Sequence, residues 1–165
     1  MEDELPNAGR VPKQSDLLTL CRALNEHGAR YVIVGGFAVI HHGYLRATED
    51  IDLLVDGDPE NQVRVKKALE VLPDKAILEL GNDDLRAYTV VRVSDEILVD
   101  LMISACGIDY AEASKSIEIV AVEGVDIPFA NADLLLRTKQ THREKDVGDR
   151  IFLHRKIAES FRPND

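Results

Sequence analysis

Two stretches decide the fold: Tyr31-Val32-Ile33-Val34-Gly35-Gly36 and Arg46-Ala47-Thr48-Glu49-Asp50-Ile51-Asp52-Leu53. The first is a short β-branched run closed by two glycines, the pattern of a buried strand feeding a tight turn. A short helix over Phe37 to His42 should follow and stop at Gly43. The second stretch enters an apolar strand, Ile51 to Val55, through acid. Side chains two apart on a strand share a face, so Asp50 and Asp52 present their carboxylates side by side while Ile51 points the other way. Two anions held that close repel unless a cation bridges them. Gly35 and Gly36, between a strand and a helix N-terminus, can offer backbone N–H groups to an anion with no Cβ in the way.

An Asp-x-Asp spacing alone specifies little in a chain this rich in aspartate. A second pair, Asp56 and Asp58, flanks Gly57 just before Pro59, and reads as a turn and helix N-cap. What sets the first pair apart is Asp100, embedded in Ile97, Leu98, Val99, Leu101 and Met102. An unpaired charge inside a sheet is costly, so a positive partner must reach it. That partner is either an arginine or a divalent ion shared with Asp50 and Asp52 from a neighbouring strand.

Working outward, residues 1–14 carry Pro6, Gly9 and Pro12 without an apolar period and are expected to form a flexible N-terminal arm. From Ser15, an N-cap type, Leu17, Leu20, Cys21 and Leu24 recur at helical spacing until Gly28. Pro59 opens a helix carrying Val63, Lys67, Glu70 and Leu72 that Pro73 ends, with Lys66 and Lys67 as surface charge. Thr89 to Val93 and Ile97 to Met102 flank Ser94-Asp95-Glu96 as a hairpin, and Ile117 to Val122 with Val125 to Phe129 flank Glu123-Gly124 likewise. Asn131 can cap a helix through Leu134, Leu135 and Thr138, and a last helix runs from about Asp146 through Ile151, Phe152 and Ile157. Helices interleaved with strands and two hairpins predict one α+β domain over 15–160, a mixed β-sheet with helices packed on it, ending in a short helical segment.

The chain has 165 residues, 45% hydrophobic and 30% charged, which fits one domain with a real core. Its formal charge of -10 repels a phosphate backbone unless positive charge is concentrated locally, so extensive duplex DNA binding is not expected. No run approaches the roughly 20 apolar residues that cross a bilayer, and the start MEDELPNAGR is acidic, so no membrane association and a cytoplasmic location are expected. Cys21 and Cys106 stand far apart in apolar settings and are expected to be core residues. The adjacent His41 and His42 cannot both face one metal from a helix and are read as a structural helix end near the site. Lys139, His142, Arg143 and Lys145 make the dense basic cluster, which either meets phosphates or an RNA end or forms a solvated helix face.

With Val34, Gly35, Gly36, then Arg46 through Leu53, and the later strand carboxylate Asp100, the chain resembles the polymerase β type nucleotidyltransferases. It looks most like their small bacterial members, the minimal nucleotidyltransferases and the nucleotidyltransferase toxins of abortive-infection systems. Leu135, Arg137, Lys139, then Arg143, Lys145, Asp146, Asp149 and Leu153 are similar to the basic helix and K-D-x-x-D segment that close such domains. The resemblance covers about residues 15–155, and it departs in size, since many relatives add a sizeable helical domain for the acceptor. It implies a nucleotidyltransferase-like fold, with Asp50, Asp52 and Asp100 as catalytic residues and ligands of Mg²⁺ or Mn²⁺, two ions with bound NTP. Gly35 and Gly36 would hold pyrophosphate, and Arg46, Thr48 and Lys139 would join them around the nucleotide, although Arg46 and Thr48 could equally just order their loop. The implied reaction moves a nucleoside monophosphate from an NTP to an acceptor hydroxyl. A partner protein or tRNA is favoured over a small hydroxylated compound, within a toxin-antitoxin or phage-defence system. The competing expectation is an antitoxin-type binding module that acts by protein contact with negligible turnover.

Overall fold

The computed structural model describes residues 9–161. A six-stranded mixed sheet carries the fold, built from β1 (Tyr31–Val34), β2 (Asp50–Val55), β3 (Val91–Ser94), β4 (Leu98–Met102), β7 (Ile117–Val122) and β8 (Val125–Ala130). Its order is β3-β4-β2-β1-β8-β7, and β5 (Ser104–Ala105) with β6 (Ile108–Asp109) forms a separate two-stranded ribbon. β1 runs antiparallel to β2 and parallel to β8, while β2 and β4 are parallel, with Asp52 directly opposite Asp100. The two expected hairpins are β3–β4 and β7–β8. The helices are α1 (Gln14–Glu26), α2 (Gly35–His41), α3 (Pro59–Leu69), α4 (Asp84–Ala87), α5 (Tyr110–Ala113), α6 (Ala132–Arg137) and α7 (Glu144–Ser160).

The apolar periodicities account for the layering. α1 buries Leu17, Leu20, Cys21 and Leu24 against α3 and β8, and Gly28 follows it at positive φ, where a side chain would be strained. β1, β2 and β4 are central strands, and Ile33, Ile51, Leu53, Val99 and Leu101 are fully buried. Each such side chain contributes about 1.5–3 kcal/mol of burial free energy. α6 and α7 pack on each other through Leu134, Leu135 and Leu153, and Asn131 caps α6 by accepting a hydrogen bond from the Leu134 N–H.

Several local expectations change. α1 starts one residue before Ser15, and its first turn is tied by Asp16, which accepts from the Lys13 N–H, so Ser15 is not the cap. Of the expected arm, residues 1–8 lie outside the described residues. Arg10, within its remainder, donates to Asp16 and Glu96. Asp58 occupies the N-cap position of α3 without a side-chain cap bond, whereas Asp56 orders the turn by accepting from the Asp58 N–H. Cys21 is buried as expected, but Cys106 is exposed in the β5–β6 turn at positive φ. No helix among the described residues is long and apolar enough to cross a membrane.

Candidate active site

The parallel pairing of β2 with β4 decides the site, because it sets Asp52 opposite Asp100 and leaves Asp50 on the same face. One oxygen from each of Asp50, Asp52 and Asp100 lies within 4.8 Å of the others, and Asp50 and Asp100 are buried. Three carboxylates that close cannot all ionise without a cation. Burial, reinforced by the charges of Asp50 and Asp100, pushes the Asp52 carboxyl up to about 7, and Asp50 is raised by burial and by Asp100. The donor set suits a hard divalent ion, since charged oxygens converge and their electrostatics call for positive charge. The structure already supplies one cation. Arg92 on β3, opposite Asp100, donates through Nε and Nη2 to both Asp100 oxygens at 2.8 and 2.9 Å, and Nη2 also donates to Asp50 Oδ2 at 2.8 Å. Of the two partners expected for Asp100, the arginine is present, and it lies on the face that carries Asp50, where the three acids could also hold an ion.

Gly35 explains how the first strand approaches this cluster. It sits at φ +69, and a Cβ there would overlap the Asp52 carboxylate, so only glycine fits. A Cβ on Gly36 would overlap the Thr48 side chain, whose hydroxyl donates to the Asp50 carbonyl at 3.1 Å. Thr48 therefore orders the entry to β2. The N–H groups of the first turn of α2, which these glycines open, have no partner inside the helix.

The other side of the site comes from the segment between α6 and α7. Lys139 is buried, with its ammonium 3.3 Å from Asp146 Oδ1 and 3.1 Å from Asp149 Oδ2. Asp149 also receives a two-pronged pair of bonds from Arg46 Nε and Nη2 at 2.8 and 2.9 Å. Asp146 accepts from Thr141 and from Arg143 Nε, the latter at 2.9 Å. Burial works to raise the Asp146 carboxyl, but the Thr141 bond and the charges of Lys139 and Arg143 outweigh it, and its pKa is lowered. Arg150 closes the segment by donating to the Lys139 and Thr141 carbonyls at 2.6 and 2.9 Å. The two aspartates of α7, three residues apart and both fully buried, thus hold the cations in place.

A cavity of about 490 Å³ joins the two sides, with Gly35, Gly36, Arg46, Thr48, Lys139 and all three aspartates of the cluster among its lining residues. Arg92, Arg143 and Lys145 line it too, so among the described residues five cations face this cavity in an acidic molecule. The Cys106 thiol, expected in the core, also lines it, 3.4 Å from the Thr138 carbonyl. His142 does not line it. Asp56 and Asp58 stand apart, with Arg30 2.7 Å from Asp56 and 3.6 Å from Asp58.

Arg92 was not singled out in the sequence, because whether it shares a face with Asp100 depends on the register of the hairpin, and a slip of one residue would turn it to the other side. Sequence reasoning also assigned no role to Asp146 and Asp149, whose burial depends on how α7 packs. The two histidines differ from expectation as well. α2 ends at His41, so the rings turn toward each other at 5.1 Å between centroids and come together with Glu118 at the end of α2 away from the cavity. His41 stacks on Phe129 and His42 Nε2 pairs with the Ala130 carbonyl at 2.9 Å.

No family model matches the chain, and no curated protein matches it significantly. Among solved structures it is similar to a Thermotoga maritima protein named as a "putative nucleotidyltransferase (TM1012)". The TM-score is 0.51 at 15% sequence identity, over 94% of this chain and 99% of that one. The chain therefore has a nucleotidyltransferase-like α+β fold, and within it three carboxylates so placed that they could hold a metal ion.

Proposed function

We propose that the chain, as a self-contained domain over 15–160, transfers a nucleoside monophosphate from an NTP to an acceptor hydroxyl. The observation that carries this reading is the convergence of Asp50, Asp52 and Asp100 from two parallel strands in a cavity lined by five cations. Asp50, Asp52 and Asp100 would hold Mg²⁺ or Mn²⁺, as one or two ions, which when bound would polarise the reacting phosphoryl group and ease ionisation of the acceptor hydroxyl. Asp52, whose carboxyl is pushed up by burial and by its two neighbours, would have to be ionised to serve as such a ligand. Lys139 and Arg46, fixed by buried aspartates, offer preorganised positive charge to the triphosphate. Gly35 and Gly36 let the first-turn N–H groups of α2 approach the leaving pyrophosphate without a side chain between.

The cavity lies within the roughly 300–1,000 Å³ range of small-molecule sites, so an NTP would fill much of it and the acceptor would be presented from outside. That suits a tRNA end or a hydroxyl side chain of a partner protein, as in the small bacterial members of the polymerase β type. A toxin acting in the cytoplasm of its own cell, held by an antitoxin partner, fits the same chemistry. One feature favours the binding-module alternative: Arg92 already supplies positive charge to two of the three acids, so the cluster is partly compensated without turnover.

The test is incubation with each NTP, labelled at the α-phosphate, plus Mg²⁺, in the presence of tRNA or of cell protein. Label should move to one acceptor class, and both EDTA and Asp52→Asn should abolish the transfer. No transfer to either class at any NTP would contradict the enzymatic reading and leave the binding module.

A further inference from the structure

We propose that Arg92 is the resident cation of the carboxylate triad, that it yields its place to the divalent ion, and that it then turns to a phosphate of the NTP. This rests on the nucleotidyl-transfer reading, and it assigns to Arg92 a role that neither the fold nor the triad itself requires.

The guanidinium engages both oxygens of Asp100 and one of Asp50, three of the six oxygens in the cluster. A carboxylate has lone pairs to spare, so geometry alone would let two cations share Asp100. Charge opposes it, because a guanidinium and a divalent ion so close repel strongly away from bulk water. The two cations therefore compete for the same acids.

Arg92 is also the cation built to leave. Its side chain is 50% exposed while those of Asp50 and Asp100 are 11% and 10% exposed, so the arginine borders solvent and the acids do not. Arg92 stands on β3, the edge strand next to β4. The other well-ordered cations of the cavity differ in this respect. Lys139 and Arg46 are held by Asp146 and Asp149, which are not members of the triad, and a metal at the triad would leave those pairs intact. Arg92 is thus the cation whose partners are the very groups a metal needs. Once displaced it remains at the cavity, where its planar fork suits a phosphate as well as it suits a carboxylate.

A clamp that merely shapes Asp100 for metal binding would give the opposite sign from a competitor, and this makes the proposal testable. Mn²⁺ affinity of the full chain is measured by calorimetry and by electron paramagnetic resonance without nucleotide. Arg92→Ala should bind Mn²⁺ about tenfold or more tightly than wild type. Arg92→Gln, which keeps bulk and hydrogen-bonding capacity but not charge, should shift the same way and serves if the alanine variant is unstable. At saturating Mn²⁺, both variants should bind a non-hydrolysable NTP analogue about tenfold more weakly. Unchanged or weaker Mn²⁺ binding by both variants would overturn the displacement. Tighter Mn²⁺ binding with unchanged analogue affinity would overturn the transfer of Arg92 to phosphate. If wild type binds no Mn²⁺ even with the analogue present, the nucleotidyl-transfer reading fails and the proposal with it, whereas normal wild-type binding with unaltered variants removes the proposal alone.

Discussion

The sheet side and the helical side of the cavity use the same residue type for opposite ends. On the sheet, Asp50 and Asp100 share one arginine while Asp52 has none, and burial and mutual repulsion push Asp52 up to about 7. On the helical side, Asp146 and Asp149 face Lys139, Arg46 and Arg143, and the Asp146 pKa is lowered. Three acids with one base leave surplus negative charge, and two acids with three bases leave surplus positive charge. The first arrangement stores repulsion that a metal can relieve, and the second stores attraction that keeps cations in place for an anion. A metal–nucleotide complex needs both signs within one cavity, and this molecule gathers them in two distinct clusters.

The sharpest way to break this comparison is to make the same substitution on both sides. Asp149→Asn should destabilise the protein by about 3–5 kcal/mol, because it leaves Arg46 and the buried Lys139 short of a partner. Asp52→Asn should leave stability unchanged or raise it near pH 8. Urea unfolding of both variants checks this, and two losses of similar size would erase the distinction.

A pH series sharpens it next. Asp52 is raised from 3.8 in the unfolded chain to about 7 in the fold, so between those values the folded state binds more protons. Stability without metal should then fall as pH rises from about 4 to 7, by at most about 1.4 kcal/mol per pH unit for this one group. The slope should shrink in Asp52→Asn, and Mg²⁺ with NTP should flatten it in wild type. A stability that climbs steadily over that range in wild type, with the same slope in the variant, would contradict the raised carboxyl.

The smallest effect is expected at the pair that shares the Asp-x-Asp spacing without the role. Asp58 is exposed beside Arg30, so Asp58→Asn should change stability by less than about 1 kcal/mol and leave Mn²⁺ affinity unaltered. A clear loss of Mn²⁺ binding would place the metal at the wrong pair.

These contrasts also mark how far the site was legible in the sequence. The period of two along β2 put Asp50 and Asp52 on one face, and the apolar neighbours of Asp100 marked it as needing a cation, so the sheet side could be read locally. Gly35 and Gly36 were readable as a turn, but that Gly35 must be glycine because Asp52 crosses it depends on strand pairing. The helical side was legible only as a basic cluster. Whether Lys139 faced solvent or the cavity turned on the packing of α6 against α7, and spacing does not encode that. Asp146 and Asp149 were legible only as part of a K-D-x-x-D resemblance with no partner named, and Cys106 looked like core because it was judged by its neighbours in sequence rather than in space. The brief ribbon of β5 and β6 and the one-turn helices α4 and α5 carry too few residues for periodicity to show.

The central claim is that the sheet side holds metal while the helical side holds phosphate. Its most direct test is Mn²⁺ binding in the presence of a non-hydrolysable NTP analogue, measured above pH 7 by electron paramagnetic resonance, on wild type and on the Asp50→Asn, Asp52→Asn double variant. Circular dichroism confirms that both are folded. Wild type should hold Mn²⁺ together with the analogue, and the folded double variant should lose the ion by at least about a hundredfold in affinity. Equal Mn²⁺ affinity in the two proteins would contradict the account.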